Sequence, residues 1–123
     1  MLDRCAEEGV EDVLFTGGEA LLRPDLLRII AYARQVLPKA ELTLFTNASR
    51  LTELLLRRFR RLGVRLATSL QGLVTYGEMT GTRRTYRRQL AMMARAAELK
   101  WPFSVSMTIT KVNRHEAACR PCP

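Results

Sequence analysis

The feature that most limits what this chain can fold into is a hydrophobic period that keeps changing. Val13 to Thr16 is a short apolar run without helical spacing. From Pro24 to Leu37, the residues Leu26, Ile29, Ile30, Ala33 and Leu37 recur at helical spacing, with Pro24 in the first turn and Asp25 near its positive end. Leu42 to Thr46 and Val64 to Ser69 read as strands, and Phe103 to Thr110 alternates apolar and polar residues strictly. Helical spacing returns in between. Thr52 caps a helix with Leu51 and Leu56 as a hydrophobic staple, and that helix turns Leu55, Phe59 and Leu62 inward before Gly63. Thr85 caps another that turns Tyr86, Leu90, Met93 and Ala97 inward before Pro102. Together with a helix in the first residues, the order is helix, strand–helix three times, then strand. This predicts α/β architecture: right-handed crossovers, a sheet of about four parallel strands near 12–16, 42–46, 64–69 and 103–110, and helices outside.

A length of 123 residues suits one small domain, and 47% apolar with 26% charged residues reads as globular. No apolar run approaches the ~18 residues of a membrane span. The acidic start, Met1 to Asp12, has no signal-peptide core. An odd count of three cysteines argues against a disulfide framework, so a cytoplasmic location is the default expectation. The net charge of +8 is mostly arginine, gathered at Arg57–Arg61 and Thr82–Arg88. These clusters read first as solvated outer helix faces. Nucleic-acid binding is the sharper alternative. It is disfavoured because Phe59 and Tyr86, the aromatics among the arginines, fall on apolar faces rather than forming a stacking platform.

The last strand is informative about function. Ser104, Ser106, Thr108 and Thr110 alternate with Phe103, Val105, Met107 and Ile109. A parallel strand covered on both sides is apolar on both. A polar face predicts a cavity that holds a polar ligand, as inside an open barrel. In α/β folds chemistry gathers at the C-terminal ends of the strands. Those ends carry Thr16-Gly17-Gly18-Glu19, Thr46-Asn47, Thr68-Ser69-Leu70-Gln71-Gly72 and Thr110-Lys111-Val112-Asn113. Hydroxyls, amides and one carboxylate therefore converge on one mouth.

In order and spacing, "FTGGEALLRPDL", "LFTNASRLT" and "TSLQGL…YGEMTGT…TY" resemble the core of radical S-adenosylmethionine (SAM) enzymes, nearest to those that modify peptides or mature cofactors. The resemblance implies a partial open (βα)6, TIM-like barrel. In that family a [4Fe–4S] cluster and SAM meet at the mouth, and reductive cleavage of SAM gives a 5′-deoxyadenosyl radical that abstracts hydrogen from substrate. It further implies that Gly17, Gly18 and Glu19 hold the methionine ammonium, with Glu19 turned toward Asn47 and Ser69. Asn47, Ser69 and Gln71 would lie on the SAM side, and Ser106 and Thr108 would line the adenosyl pocket. The implied partner is SAM, and the parent's substrate would be a peptide or cofactor precursor.

Three positions depart from the family's pattern: Ala20 replaces a proline, Ala48 a glycine and Gln71 an aspartate. The family's C-x3-C-x2-C cluster loop has no counterpart, and Cys5 stands alone. The expectation is thus a partial core over residues 1–113, lacking cluster ligands and inactive by itself, followed by an irregular tail over 114–123. His115, Cys119 and Cys122 have metal-like spacing but number only three, and an unrelated tail is the favoured reading. The alternative function is a small α/β module for nucleotides or nucleic acid, with phosphate on the turn after Gly18. Glu19 would repel that phosphate.

Overall fold

A computed structural model describes residues 1–72, 74–81 and 86–116. Its strands are β1 (Asp12–Phe15), β2 (Glu41–Phe45), β3 (Val64–Ser69) and β4 (Phe103–Ser106), parallel and in that spatial order. The helices are α1 (Leu2–Glu7), α2 (Leu26–Val36), α3 (Glu53–Arg61), α4 (Tyr76–Thr80) and α5 (Tyr86–Glu98). The register pairs Val13 with Leu42, Leu44 with Leu66 and Leu66 with Phe103. Paired residues in a parallel sheet share a face, so one face is apolar and packs with Ile30, Ala33, Leu56 and Phe59 of the helices. The other carries Leu14, Thr43, Phe45, Ala67, Ser69, Ser104 and Ser106, and Leu14 is 57% exposed. An Arg65–Glu41 ion pair of 2.5 Å lies on this open side.

Local chemistry sets the helix ends. Thr52 Oγ1 accepts the Leu55 amide at 3.3 Å, and the staple residues Leu51 and Leu56 are fully buried. Asp25 occupies the N-cap of α2 but pairs with Arg23 at 2.7 Å, so Pro24 stands ahead of the helix instead of in its first turn. Glu53, at the start of α3, joins Arg57 of its own helix and Arg95 of α5. Arg95 first, then Arg57, holds the Glu53 carboxyl below the ordinary range.

Three expectations shift. α3 buries Leu56 and Phe59, with Leu55 and Leu62 only half-buried. α5 buries Gln89 and Ala96, while Leu90 and Met93 are half-buried and Ala97 is exposed. The cause is polar: Gln89 has partners beneath it that outweigh the apolar pattern. β4 stops at Ser106, because the Thr108 amide leaves the ladder for the Gln71 side chain at 2.9 Å. The expected cap Thr85 lies outside the described residues.

The end of the sheet opposite its mouth is organised by Arg34. Its guanidinium donates to the carbonyls of Leu37, Pro38 and Ala40, which follow α2, at 3.3, 3.1 and 2.8 Å. It also reaches those of Leu62 at 2.8 Å and Gly63 at 3.3 Å, which follow α3. Helix C-termini leave carbonyls unpaired and carry partial negative charge, so one planar cation satisfies two of them. Replacing Arg34 with Met should destabilise the chain by roughly 1.5–3 kcal/mol in denaturant unfolding. Arg34→Lys should recover less than half of that loss, since an ammonium cannot span both sets of carbonyls. Full recovery by lysine would reduce the role of Arg34 to charge alone.

Candidate functional site

The turn after β1 places Glu19 at the N-cap of a single 3₁₀ turn, Ala20–Leu22, where its Oε1 accepts the Leu21 amide at 3.0 Å. The same carboxylate reaches the exit of β2. The Thr46 hydroxyl donates to Oε1 at 2.5 Å and the Asn47 amide to Oε2 at 2.9 Å. Glu19 thus turns toward Thr46 and Asn47, and Ser69 is not among its partners. Thr46 is 2% exposed, and its hydroxyl also accepts the Ala48 amide at 3.1 Å. Asn47 Oδ1 accepts the Ser49 amide at 2.8 Å. The mouth of the first two strands is therefore a hydrogen-bonded unit centred on one carboxylate.

Gly17 has φ +154°, a conformation that side chains rarely adopt. A Cβ built on Gly17 or Gly18 would meet no atom within 4 Å. Internal packing therefore does not account for either glycine, and the backbone there stays open to an approaching group.

A cavity of about 530 Å³ lies at the same end of the sheet, lined by Asn47, Ser69, Gln71 and Thr108 with Tyr76, Met79 and Thr80 of α4. Four residues expected from the sequence thus share one cavity wall. Ser69 Oγ and Gln71 Nε2 have no partner among the described residues, whereas Gln71 Oε1 is held by the Thr108 amide. Ser106 lies beside Ser69 in register, on the open face, and donates to the Thr68 carbonyl at 3.5 Å. It does not line this cavity. Glu19, Gly17 and Gly18 sit at the mouth but outside the cavity lining.

Two buried amides stand behind this wall, and Gln89 was not among the expected site residues. Gln89 is fully buried and donates to Thr68 Oγ1 and the Ser69 carbonyl, both at 2.7 Å, while accepting the Tyr76 hydroxyl at 3.2 Å. Asn113, also fully buried, donates to the carbonyls of Gln71 at 3.2 Å and Thr108 at 2.8 Å. Its Oδ1 accepts the Thr110 amide at 2.7 Å and the Thr110 hydroxyl at 3.2 Å, which uses its whole donor and acceptor capacity. Gln89 had a signal in the sequence, a polar residue on the inward stripe of α5. Asn113 is one of the strand-end amides expected at the mouth, and its part there is structural.

No group of three His, Cys, Asp or Glu side chains suited to a metal ion occurs among the described residues. Cys5 on α1 is a half-buried free thiol. These residues do not fit an iron–sulfur cluster, so no electron-transfer step is assigned to them. Cys119 and Cys122 lie outside the described residues. The arginine cluster of α3 is on an outer face: Arg57, Arg60 and Arg61 border one surface hollow, and Phe59 beside them is 1% exposed. No helix of the described residues is long and apolar enough to cross a membrane.

With this geometry in place, comparison with known proteins is specific. The profile of the Radical SAM superfamily matches residues 1–118. An AdoMet-dependent heme synthase of Methanosarcina barkeri is 30% identical over 118 residues, which is 94% of this chain and 33% of that protein. A GTP 3′,8-cyclase of Campylobacter lari is 43% identical over 49 residues, 40% of this chain and 15% of that protein. The chain thus spans a third or less of the length of these relatives. The crystal structure of BtrN in complex with AdoMet and 2-DOIA superposes with a TM-score of 0.62 at 19% identity, covering 86% of this chain and 40% of that one. The open parallel sheet described above is therefore part of a TIM-like barrel of that kind.

Ala48 yields a test of the turn between Glu19 and α3. It stands where the resemblance expects glycine, and it has φ +59° while fully buried. An L-residue pays roughly 1–2 kcal/mol in that region. Ala48→Gly should therefore leave stability within about 0.5 kcal/mol of the parent, since relief of strain offsets added chain entropy. Ala33→Gly, at a buried helical position, should cost about 1 kcal/mol. Equal losses in paired denaturant titrations would show that the turn at Ala48 is unstrained.

Proposed function

Because the chain belongs to the radical SAM superfamily, we propose that it forms the SAM-binding part of such a protein's barrel and is inactive by itself. The observation that carries this reading is the cavity lined by Asn47, Ser69, Gln71 and Thr108 at the strand mouths, where Ser69 Oγ and Gln71 Nε2 have no partner among the described residues. The donor set fits SAM. The Gly17–Gly18 turn has open space where a side chain would stand, so a ligand can come close to the backbone, and an ammonium needs close acceptors. Glu19 spends three acceptor positions on Leu21, Thr46 and Asn47, which leaves about one of a carboxylate's four for that ammonium. Ser69 and Gln71 suit the methionine carboxylate or a ribose hydroxyl, with Thr108 of the cavity, and Ser106 outside its lining beside Ser69, toward the adenosyl group. Gln71 makes these contacts as a neutral amide, without the charge of the usual aspartate.

When bound, SAM supplies the activated carbon–sulfur bond whose reductive cleavage is the parent reaction and which leads to hydrogen-atom abstraction from substrate. The chain's own part is to bind and orient the methionine and adenosyl ends. The relatives act in heme synthesis and GTP cyclisation by name, which supports a cofactor precursor as the parent's substrate class, with a peptide as the other class the resemblance implies. A cytoplasmic setting follows from the same reading.

The test separates the ammonium contact from the structural bonds of Glu19. SAM and 5′-methylthioadenosine, which lacks the amino-acid moiety, are titrated into the chain and into Glu19→Gln. SAM affinity should fall about ten- to a hundredfold in the variant, corresponding to roughly 1.5–3 kcal/mol for a charge-assisted bond. Methylthioadenosine affinity should change less than about threefold, a size typical of no direct contact. Equal losses for both ligands would mean that Glu19 only holds the turn, and the proposed ammonium contact would be withdrawn.

A further inference from the structure

Part of the cavity wall is α4, a helix of five residues that follows a glycine-containing loop. So short a helix is not stable on its own, and something must fix it. Its N-terminal end is met by a side chain from the far end of the described chain. Glu116 Oε2 accepts the Val74 amide at 2.9 Å, and Oε1 accepts the Thr75 amide at 2.8 Å and the Thr75 hydroxyl at 2.6 Å. The Glu116 side chain is 9% exposed, with His115 Nε2 3.8 Å from Oε1. The approach is tight. A Cβ at Gly72, where φ is +121°, would come within 2.5 Å of Thr75 Oγ1 and 3.1 Å of both Glu116 oxygens. Asn113 ties the same returning segment to the Gln71 carbonyl, and Thr110 Oγ1 reaches Met79 Sδ at 3.5 Å.

We propose that Glu116 is a positioning residue for the ligand cavity. By gathering the amides that open α4, it sets Tyr76, Met79 and Thr80 against the ligand side of Ser69 and Gln71. The carboxylate acts through α4 and does not itself line the cavity. Gln89 steadies Tyr76 from behind, so the wall is held at its start by a carboxylate and at its back by an amide. The binding arm of the test rests on the SAM reading above; the structural arm does not.

The experiment compares the chain with Glu116→Ala and Glu116→Gln by amide hydrogen exchange and by SAM titration. In Glu116→Ala, the amides of Glu78, Met79 and Gly81, which bond within α4 and its cap, should exchange at least about tenfold faster. The strand amides of Leu44 and Leu66 should keep their rates, which separates local release from global loosening. Glu116→Gln retains one carbonyl acceptor and should recover part of the protection. SAM affinity should fall about five- to tenfold in Glu116→Ala and track the exchange across the three proteins. Unchanged exchange in α4, or faster exchange with unaltered SAM affinity, overturns the proposal. If the unaltered chain does not bind SAM, the SAM reading fails, and the role of Glu116 is decided by exchange alone. Should Glu116→Ala not fold, the same comparison is made with Glu116→Gln against the parent, where no local change in α4 is the overturning result.

Discussion

The guanidinium of Arg34 is the interaction on which the rest of the sheet depends. Crossover helices in a parallel sheet must each end close to where the next strand begins, and each end leaves unpaired carbonyls. Here two such ends meet one side chain, which collects five carbonyls from the segments after α2 and α3. β2 and β3 start from those segments, so their relative height is fixed at the bottom. The C-terminal ends then arrive together at the top, bringing Thr46, Asn47, Ser69 and Gln71 to one level without strong attractions among themselves.

The two ends of the sheet consequently differ in kind. At the base the Arg34 contacts run from charge to backbone and do not depend on the identity of the side chains around them. At the mouth they run through hydroxyls, amides and carboxylates: Glu19 to Thr46 and Asn47, Gln89 to Thr68 and Ser69, Asn113 to Gln71 and Thr108. Every buried side-chain polar atom of the described residues has a partner. A polar mouth of this type is specific only when fully satisfied. The polar atoms left over belong to Ser69 and Gln71, which both line the cavity.

Much of this was legible in the sequence, because the strands are short, apolar and separated by complete helical patterns. The change of period located all four strands, the strand-end rule brought Asn47, Ser69 and Gln71 to one cavity, and the polar face of the last strand brought Thr108 there. What escaped was set by polar contacts between distant segments. The burial of Gln89 turned α5 away from its apolar reading of Leu90, Met93 and Ala97. The bond from Thr108 to Gln71 cut β4 short of its alternating pattern. α4 carried no periodic signal, being five residues long and organised by Glu116 from more than forty positions away. Such partners have no local signature.

The structural bonds of Glu19 have a consequence for how this stretch changes over time. Its carboxylate ties the exit of β1 to that of β2 whether or not a ligand is present. Selection for folding alone would therefore retain an acid at this position, even in a lineage that had ceased to perform chemistry. Gly18 is different, since nothing in the fold presses on it. In a lineage released from ligand binding, Gly18 would drift first and Glu19 last. The order in which those two letters decay is a record of when binding was lost, kept separately from the record of when folding was.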